Sequence, residues 1–444
     1  MIIKKIKELG SNAFPLGSFR TNVLTFMAGT AIAQLITVSI SPVLTRLFTP
    51  KAFGVFGVYL SIVSIFTAIA TLRYDQALML PKESKDAAHL FWASLVSVFG
   101  TSVLTLFVCL LFLNKIIMIL KIPEIGPWIL FLPFSILLAG AYLTLNSWST
   151  RQKRFKRASV SQVIRSSTIS SVQVASGIIK TGPVGLIFGA VLGDLFATIV
   201  LAFQVKHDDE KILNEGLHWQ SIKELGKQYS DFPVFSSTQN FLNAISQNIP
   251  VLLLAKFFGP AVVGFYAFGV RVIQLPMNLV LTSLREVLFQ KASEVYNAGG
   301  NVYVLFKKTT LGLITVAILP AMIIILWGPE IFGYVLGKGW IMAGVYSRWL
   351  VLWLMCGFSN LPAVLFAQIF RKQKIILIQD IFLLLFRALA IVSGSLRNDP
   401  LLAVILYSLV GVFFNTFIIV WMGIFLRNIQ KRNERNNHVL NNEF

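Results

Sequence analysis

The sequence predicts an all-α polytopic membrane protein, with about twelve transmembrane helices in two six-helix lobes, related by a parallel repeat, around a central cavity. Three observations lead there. Of 444 residues 56% are hydrophobic and only 13% charged, with a mean hydropathy of +0.74. A soluble domain carries roughly a quarter charged residues to cover its surface. The apolar residues also fall into stretches of about the 20 residues a bilayer demands. Finally, a short motif recurs half a chain apart.

Taken in order, the apolar stretches place spans near 21–45, 53–72, 88–113, 126–147, 160–179, 183–205, 233–255, 261–284, 304–327, 342–366, 375–394 and 401–426. The first follows Lys4, Lys5, Lys7 and Arg20 and lacks a small-residue cleavage site, so it reads as a retained span rather than a signal peptide. This divides the chain into an N-terminal six-helix lobe (1–205), a cytoplasmic connection (206–232), a C-terminal six-helix lobe (233–426) and a cytoplasmic tail (427–444).

The charge distribution orients the spans. The N-terminus, the connections at 73–87, 148–159, 206–232, 285–308 and 367–374, and the tail hold 27 of the 39 Lys and Arg. The six intervening connections hold 8, and Arg165, Arg271, Arg348 and Arg387 lie within spans. By the positive-inside rule both termini are expected in the cytoplasm. The run Arg151-Gln-Lys153-Arg154-Phe-Lys156-Arg157 then reads as a cytoplasmic topology anchor, with a lipid-headgroup or partner site as its alternative. The net charge of +20 is accordingly topological; nucleic-acid binders gather Lys and Arg on a soluble face, and no nucleic-acid partner is expected.

Several chemistries find no residues to carry them. Cys109 and Cys356 both sit in apolar stretches, which excludes a disulfide framework or a Cys-rich metal site. His89, His207, His218 and His438 show no ligand spacing, and no metal or cofactor is expected. No Walker, GxGxxG or GxSxG pattern occurs where a strand would precede a helix, so neither an ATPase nor a nucleophile elbow is expected. The outward connections are too short to house the external catalytic loop of a membrane polymerase; the chain reads as no enzyme.

The repeat is carried by Leu47-Phe48-Thr-Pro50-Lys-Ala-Phe53-Gly54-Val-Phe56 against Phe257-Phe258-Gly-Pro260-Ala-Val-Val263-Gly264-Phe-Tyr266, 210 residues on. It superposes spans 1 and 2 on spans 7 and 8. Polarity repeats with it. Thr30, Gln34, Thr37 and Ser41 step by +4, +3 and +4 along one helix face, and Ser236, Asn240, Asn243 and Gln247 take the same steps in span 7. Buried amides and hydroxyls cost several kcal/mol each in hydrocarbon unless partnered. Equivalent stripes on equivalent helices suggest a shared cavity whose amides and hydroxyls suit sugar hydroxyls; interhelical hydrogen bonding is the plainer reading.

Span 8 adds charge on one face: Arg271, Gln274, Asn278, Thr282 and Arg285. An arginine inside a span costs roughly 2.5–3.5 kcal/mol and faces a cavity or partner, unless it snorkels to an interface. Arg73 and Asp75 end span 2 near the cytoplasm and either bind or pair with each other. Arg46 closes span 1 on the outer side. Asp194 in span 6 and Asp380 in span 11 are candidates for ion coupling, since a desolvated carboxylate can carry a proton or Na⁺. Asp380 and Arg387 are two turns apart on one face, where they could simply pair. Prolines 42, 133, 250, 276, 320 and 362 interrupt spans.

The stretch Pro42-Val-Leu-Thr-Arg46-Leu-Phe-Thr-Pro50-Lys-Ala-Phe-Gly54-Val-Phe-Gly-Val-Tyr59, with Arg73-Tyr-Asp-Gln-Ala-Leu-Met-Leu-Pro81 after it, resembles the N-terminal signature of polysaccharide biosynthesis flippases. These are the Wzx-type O-antigen and capsule transporters of the multidrug/oligosaccharidyl-lipid/polysaccharide exporter superfamily. The resemblance extends over the chain in length and span number, its specific motif over about the first 90 residues. It implies a bacterial inner-membrane protein that moves an undecaprenyl-pyrophosphate-linked oligosaccharide from the cytoplasmic to the periplasmic leaflet, alongside a polysaccharide polymerase and chain-length regulator. By the same resemblance Arg46, Arg73, Asp75 and Arg271 would be cavity or gate charges; the polar helix faces, with Gln34, Asn240, Asn243, Gln247, Gln274 and Asn278, are expected to meet the glycan. The energy would come either from an H⁺ or Na⁺ gradient or from consumption of the product outside, and the sequence does not choose between them. The competing readings are a drug/ion antiporter of that superfamily, which should show an acidic cavity, and an oligosaccharide polymerase; translocation of the peptidoglycan lipid precursor differs only in the sugar.

Overall fold

The computed structural model describes the backbone over residues 17–298 and 300–442, and side chains over 28–431 apart from 120, 282, 283, 286 and 299. Thr282 and the basic residues at 4, 5, 7, 20, 432 and 435 therefore lie outside the described side chains. Among the described residues there is no strand, and twelve long helices follow in order. They are α1 (Gly17–Leu47), α2 (Pro50–Ala70), α3 (Ser84–Leu120), α4 (Leu132–Arg151), α5 (Phe155–Ile178), α6 (Pro183–Glu215), α7 (Ser237–Phe258), α8 (Pro260–Asn297), α9 (Val302–Leu336), α10 (Ile341–Ser359), α11 (Gln373–Leu396) and α12 (Pro400–Asn442).

Ten of these stretches are long and apolar enough to cross a membrane, and eleven once Pro123–Ile129 and α4, bent by 56° to each other, are taken as one span. The twelfth, α5, is too polar to qualify by composition, and its buried face explains why. Ser166, Ser170, Gln173 and Gly177 lie buried at steps of +4, +3 and +4. Small polar residues let helix backbones approach closely in lipid, and the Gln173 amide donates to the Leu186 carbonyl of α6 at 2.9 Å. Large apolar side chains point outward instead: Leu111 is 74% exposed and Phe203 71%. That is inverted relative to a soluble protein and expected where lipid is the solvent. The chain is a multi-pass membrane protein.

Proline placement sorts by cost. Pro133 and Pro362 sit in the first turn of a helix, where the missing N–H has no partner to lose. Pro42, Pro250, Pro276 and Pro320 lie inside α1, α7, α8 and α9. The recorded break in α9 is at Trp327 (φ −120°, ψ 16°), two residues before Pro329.

Contacts divide the chain into two units: Met1–Phe48 with Val58–Asn248, and Thr49–Gly57 with Ile249–Phe444. In the first, α3 packs on α4, α4 on α6, α5 on α6 and α1 on α5. In the second, α9 packs on α10, α10 on α12, α11 on α12 and α8 on α10. Three of those pairings recur six helices on, so the repeat in sequence is a repeat of packing.

The duplicated motif has its own role inside the second unit. A Cβ on Gly54 would overlap the Pro260 carbonyl, and one on Gly264 would overlap the Pro50 carbonyl. Each Pro-x-x-x-Gly turn thus seats the other's first turn, and only glycine admits that approach. Phe53 stacks edge-on against Phe268 and Trp340 beside it, at 5.3 and 5.2 Å between ring centroids.

The connection after α6 is built rather than loose. α6 runs on to Glu215, where His89 Nδ1 and the Trp92 indole bind the Gly216 and Leu213 carbonyls at 2.8 and 2.9 Å. Helix Trp219–Gln228 buries Ile222, while Leu225, Tyr229 and Phe232 pack on Ala77, Leu78 and Leu90. The Tyr74 hydroxyl donates to the Gly226 carbonyl at 3.0 Å, and burial raises its pKa, keeping it a neutral donor.

Two of the five cations in the basic run serve the fold. Arg151 donates to the carbonyls of Leu78, Pro81 and Glu83 at 2.8, 2.7 and 3.2 Å, tying down the turn after α2. Arg157, nearly fully buried, bridges Asp208 and Asp209 at 2.6 Å each, and the Trp148 indole donates to the same Asp209 oxygen at 3.1 Å.

Candidate functional site

Arg271 opens a cavity on α8. Ala267, Val270, Arg271, Gln274, Leu275 and Asn278 share one helix face and line a space of about 190 Å³. The first-turn seat at Gly264 anchors this helix one turn earlier. Arg271 is exposed to the cavity, without an ion-pair partner among the described residues. Gln274 is half-buried and Asn278 exposed. A guanidinium beside two amides is a donor-rich surface suited to an anionic, hydroxylated group.

In the other unit the α1 stripe turns inward. Thr30 donates to Gln162 Oε1 of α5 at 3.1 Å; Thr37 and Ser41 donate to the carbonyls one turn back, at 3.0 and 2.7 Å. Gln34 keeps a buried carbonyl oxygen with no hydrogen-bond partner. The α7 stripe behaves differently. Asn240 donates to the Ala68 carbonyl of α2 at 2.8 Å, while Asn243 and Gln247 are exposed and make no side-chain hydrogen bond among the described residues. Asn248, which spacing alone does not select, donates to Ser64 Oγ and to the Ala244 carbonyl at 3.2 and 2.8 Å. It fixes the helix that presents the two free amides.

Arg46 is exposed in the last turn of α1, where a cation complements the free carbonyls of the helix end. Arg73 and Asp75 belong to a tight turn at the other end of α2. Leu72 and Arg73 both adopt left-handed φ, 48° and 63°. Such residues cost about 1–3 kcal/mol each and need support. Support comes from the Thr71 hydroxyl, which donates to the buried Asp75 carboxylate and accepts from the Arg73 backbone N–H. Asp75 is thereby engaged inside the turn, and Arg73 Nε is buried with no hydrogen-bond partner.

Asp194 forms an ion pair with Arg165 across α5 and α6. The Arg165 guanidinium lies over the Tyr142 ring at 5.7 Å, and Tyr142 shares a hydrogen bond with Ser161 at 3.2 Å. The pair is accessible on the arginine side, 42% exposed, and enclosed on the aspartate side, 13%. Twenty-nine residues separate the partners, so helical spacing could not have matched them.

Asp380 and Arg387 do not pair, although seven residues allowed it. Asp380 is exposed; Arg387 is buried, its guanidinium against both Trp353 and Tyr407, at 4.4 and 4.5 Å from rings that themselves meet edge to face. The aromatic faces take the place a carboxylate would have held, and the Tyr266 hydroxyl donates to that of Tyr407 at 3.1 Å. Among the described residues no cluster of His, Cys, Asp and Glu is placed to hold a metal ion.

A sequence model of the family described as polysaccharide biosynthesis protein matches residues 43–344. The chain belongs to the polysaccharide biosynthesis protein family. No curated protein sequence matches it. Solved structures share the fold at low identity. The inward closed conformation of the lipid II flippase MurJ aligns at 12% identity with a TM-score of 0.67, over 92% of this chain and 91% of that one. An inward-facing multidrug resistance MATE family transporter of the MOP superfamily aligns at 14% identity with a TM-score of 0.62, over 91% and 96%. A Vibrio cholerae MATE transporter aligns at 12% identity with a TM-score of 0.53, over 93% and 97%. The fold is that of MOP transporters.

Proposed function

We propose that this family member is a transporter, not an enzyme, that flips an undecaprenyl-pyrophosphate-linked oligosaccharide repeat unit from the cytoplasmic to the periplasmic leaflet of a bacterial inner membrane. It would act by alternating access, with both termini cytoplasmic, in O-antigen, capsule or exopolysaccharide synthesis beside a polymerase and chain-length regulator. Arg271 carries the reading: a permanent cation, accessible from a cavity on a membrane helix, in a chain of a polysaccharide biosynthesis family. The pyrophosphate would take bidentate hydrogen bonds from it, with Arg46 and Arg73 along the path. Gln274, Asn278, Asn243 and Gln247 would exchange hydrogen bonds with sugar hydroxyls, Gln34 and Asn240 would position those helices, and Asp75 would hold Arg73 in its strained turn. The polyprenyl tail needs no protein site, because lipid already solvates it.

Asp194 is the stronger ion-coupling candidate, since a proton or Na⁺ arriving there competes with Arg165; exposed Asp380 is the second. The likeness to a lipid II flippase supports a lipid-linked substrate and keeps the peptidoglycan precursor as an alternative cargo. A drug/ion antiporter fits less well, because the cavity charge is basic.

The test is deletion of the gene followed by a determination of the leaflet on which lipid-linked oligosaccharide accumulates. Accumulation on the cytoplasmic leaflet, rescued by the wild type and not by an equally abundant Arg271→Ala variant, is expected. Full rescue by that variant removes Arg271 from the proposal, and complementation of a lipid II flippase deletion reassigns the cargo.

A further inference from the structure

A second groove lies on α9, at the end remote from the basic connections. Trp327, Glu330, Ile331, Tyr334 and Val335, spaced on one helix face, line about 350 Å³. Tyr334 is 86% exposed and Trp327 54%. An open Trp and Tyr near the end of an apolar helix mark headgroup depth, where amphipathic rings settle.

Glu330 is the charged residue of the groove's lining, and a cation of the next helix stands against it. The helix breaks at Trp327, and Arg348 of α10 reaches across to donate to the Leu326 carbonyl at 3.0 Å. The same guanidinium pairs with the Glu330 carboxylate at 3.7 Å, beyond hydrogen-bond distance, and the Arg348 side chain is 37% exposed. Glu330 accepts no hydrogen bond among the described residues, and its side chain is 64% exposed. The two charges are therefore held side by side with bonding capacity left on each. A carboxylate at the lipid boundary is costly without donors, and the guanidinium at 3.7 Å gives Glu330 a neighbouring charge but no hydrogen bond.

We infer that this groove docks a phospholipid with a zwitterionic, primary-ammonium headgroup, the ammonium on Glu330, the phosphate on Arg348, and the glycerol and upper chain between Trp327 and Tyr334. The charge pattern selects among lipids. A trimethylammonium headgroup has no N–H to donate to Glu330, and an anionic glycerol headgroup brings no cation to that carboxylate. Arg348 favours phosphate for its fork of donors. The inference stands apart from the transport reading, since it involves neither the α8 cavity nor the glycolipid.

The full chain in detergent, titrated with phosphatidylethanolamine, phosphatidylcholine and phosphatidylglycerol of identical chains and read by native mass spectrometry, provides the test. Phosphatidylethanolamine should be retained about threefold over the other two, the size of one partly exposed charge contact. Glu330→Gln should abolish that preference, and Glu330→Lys should turn it toward phosphatidylglycerol, both at unchanged melting temperature. Equal retention of the three lipids by the wild type, a wild-type preference for phosphatidylglycerol, or an undiminished phosphatidylethanolamine preference in Glu330→Gln each overturns the inference.

Discussion

Side chains with the same chemistry do different work depending on what closes around them. Arg151 and Arg157 are consumed by carbonyls and carboxylates, Arg387 by two aromatic faces, and Arg271 is left open to a cavity. Breaking a buried pair from one side strands a charge, at about 3–5 kcal/mol. Asp209→Ala should therefore lower the melting temperature and abundance sharply, while Asp208→Ala, at the half-exposed partner, should be mild. Thermal unfolding of the two variants checks the difference. Arg271→Ala should behave oppositely, folding normally and losing about tenfold or more of flipping, as one charge-assisted contact worth roughly 1.5–3 kcal/mol would require. Asp194→Asn should keep protein levels and abolish the response of flipping in reconstituted vesicles to an imposed proton or sodium gradient; an intact response to both would remove Asp194 from coupling.

Among the helices, the reciprocal glycine seats explain why two short motifs recur at all. The tight approach of α2 and α8 leaves no volume for a side chain at Gly54 or Gly264. Overpacking costs typically 1–3 kcal/mol, so Gly264→Leu should reduce the melting temperature measurably, whereas the same change at Gly312, with open space around it, should not. Pairwise spacing revealed the motif, but not that each copy packs against the other. The polar stripes were similarly half legible. Their helical phase was readable, since period alone sets it, yet α1 spends its hydroxyls on α5 and on its own backbone while α7 keeps two amides free.

At the scale of the whole chain, hydropathy and charge act additively over long segments, which is why length and composition mark ten or eleven spans of the twelve expected. The polar α5 is the exception that marks the limit: composition understates a span that buries Ser159, Ser161, Ser166, Ser170 and Gln173 against its neighbours. The orientation expected from the Lys and Arg bias is testable by reporter fusion. A cytoplasmic-active reporter after residue 431 should be active, and a periplasmic-active one silent; the converse would invert the topology.

The sequence by itself determined that this is a helical membrane protein, where its helices fall, and that its halves repeat, because bilayer transfer energy and helical period depend on segments close in the chain. Only the tertiary structure decided which charges are spent and which are available. Arg165 finds Asp194 twenty-nine residues away and Arg387 prefers two rings to Asp380, since partnership inside lipid is set by which side chains the packed helices bring within a few ångströms.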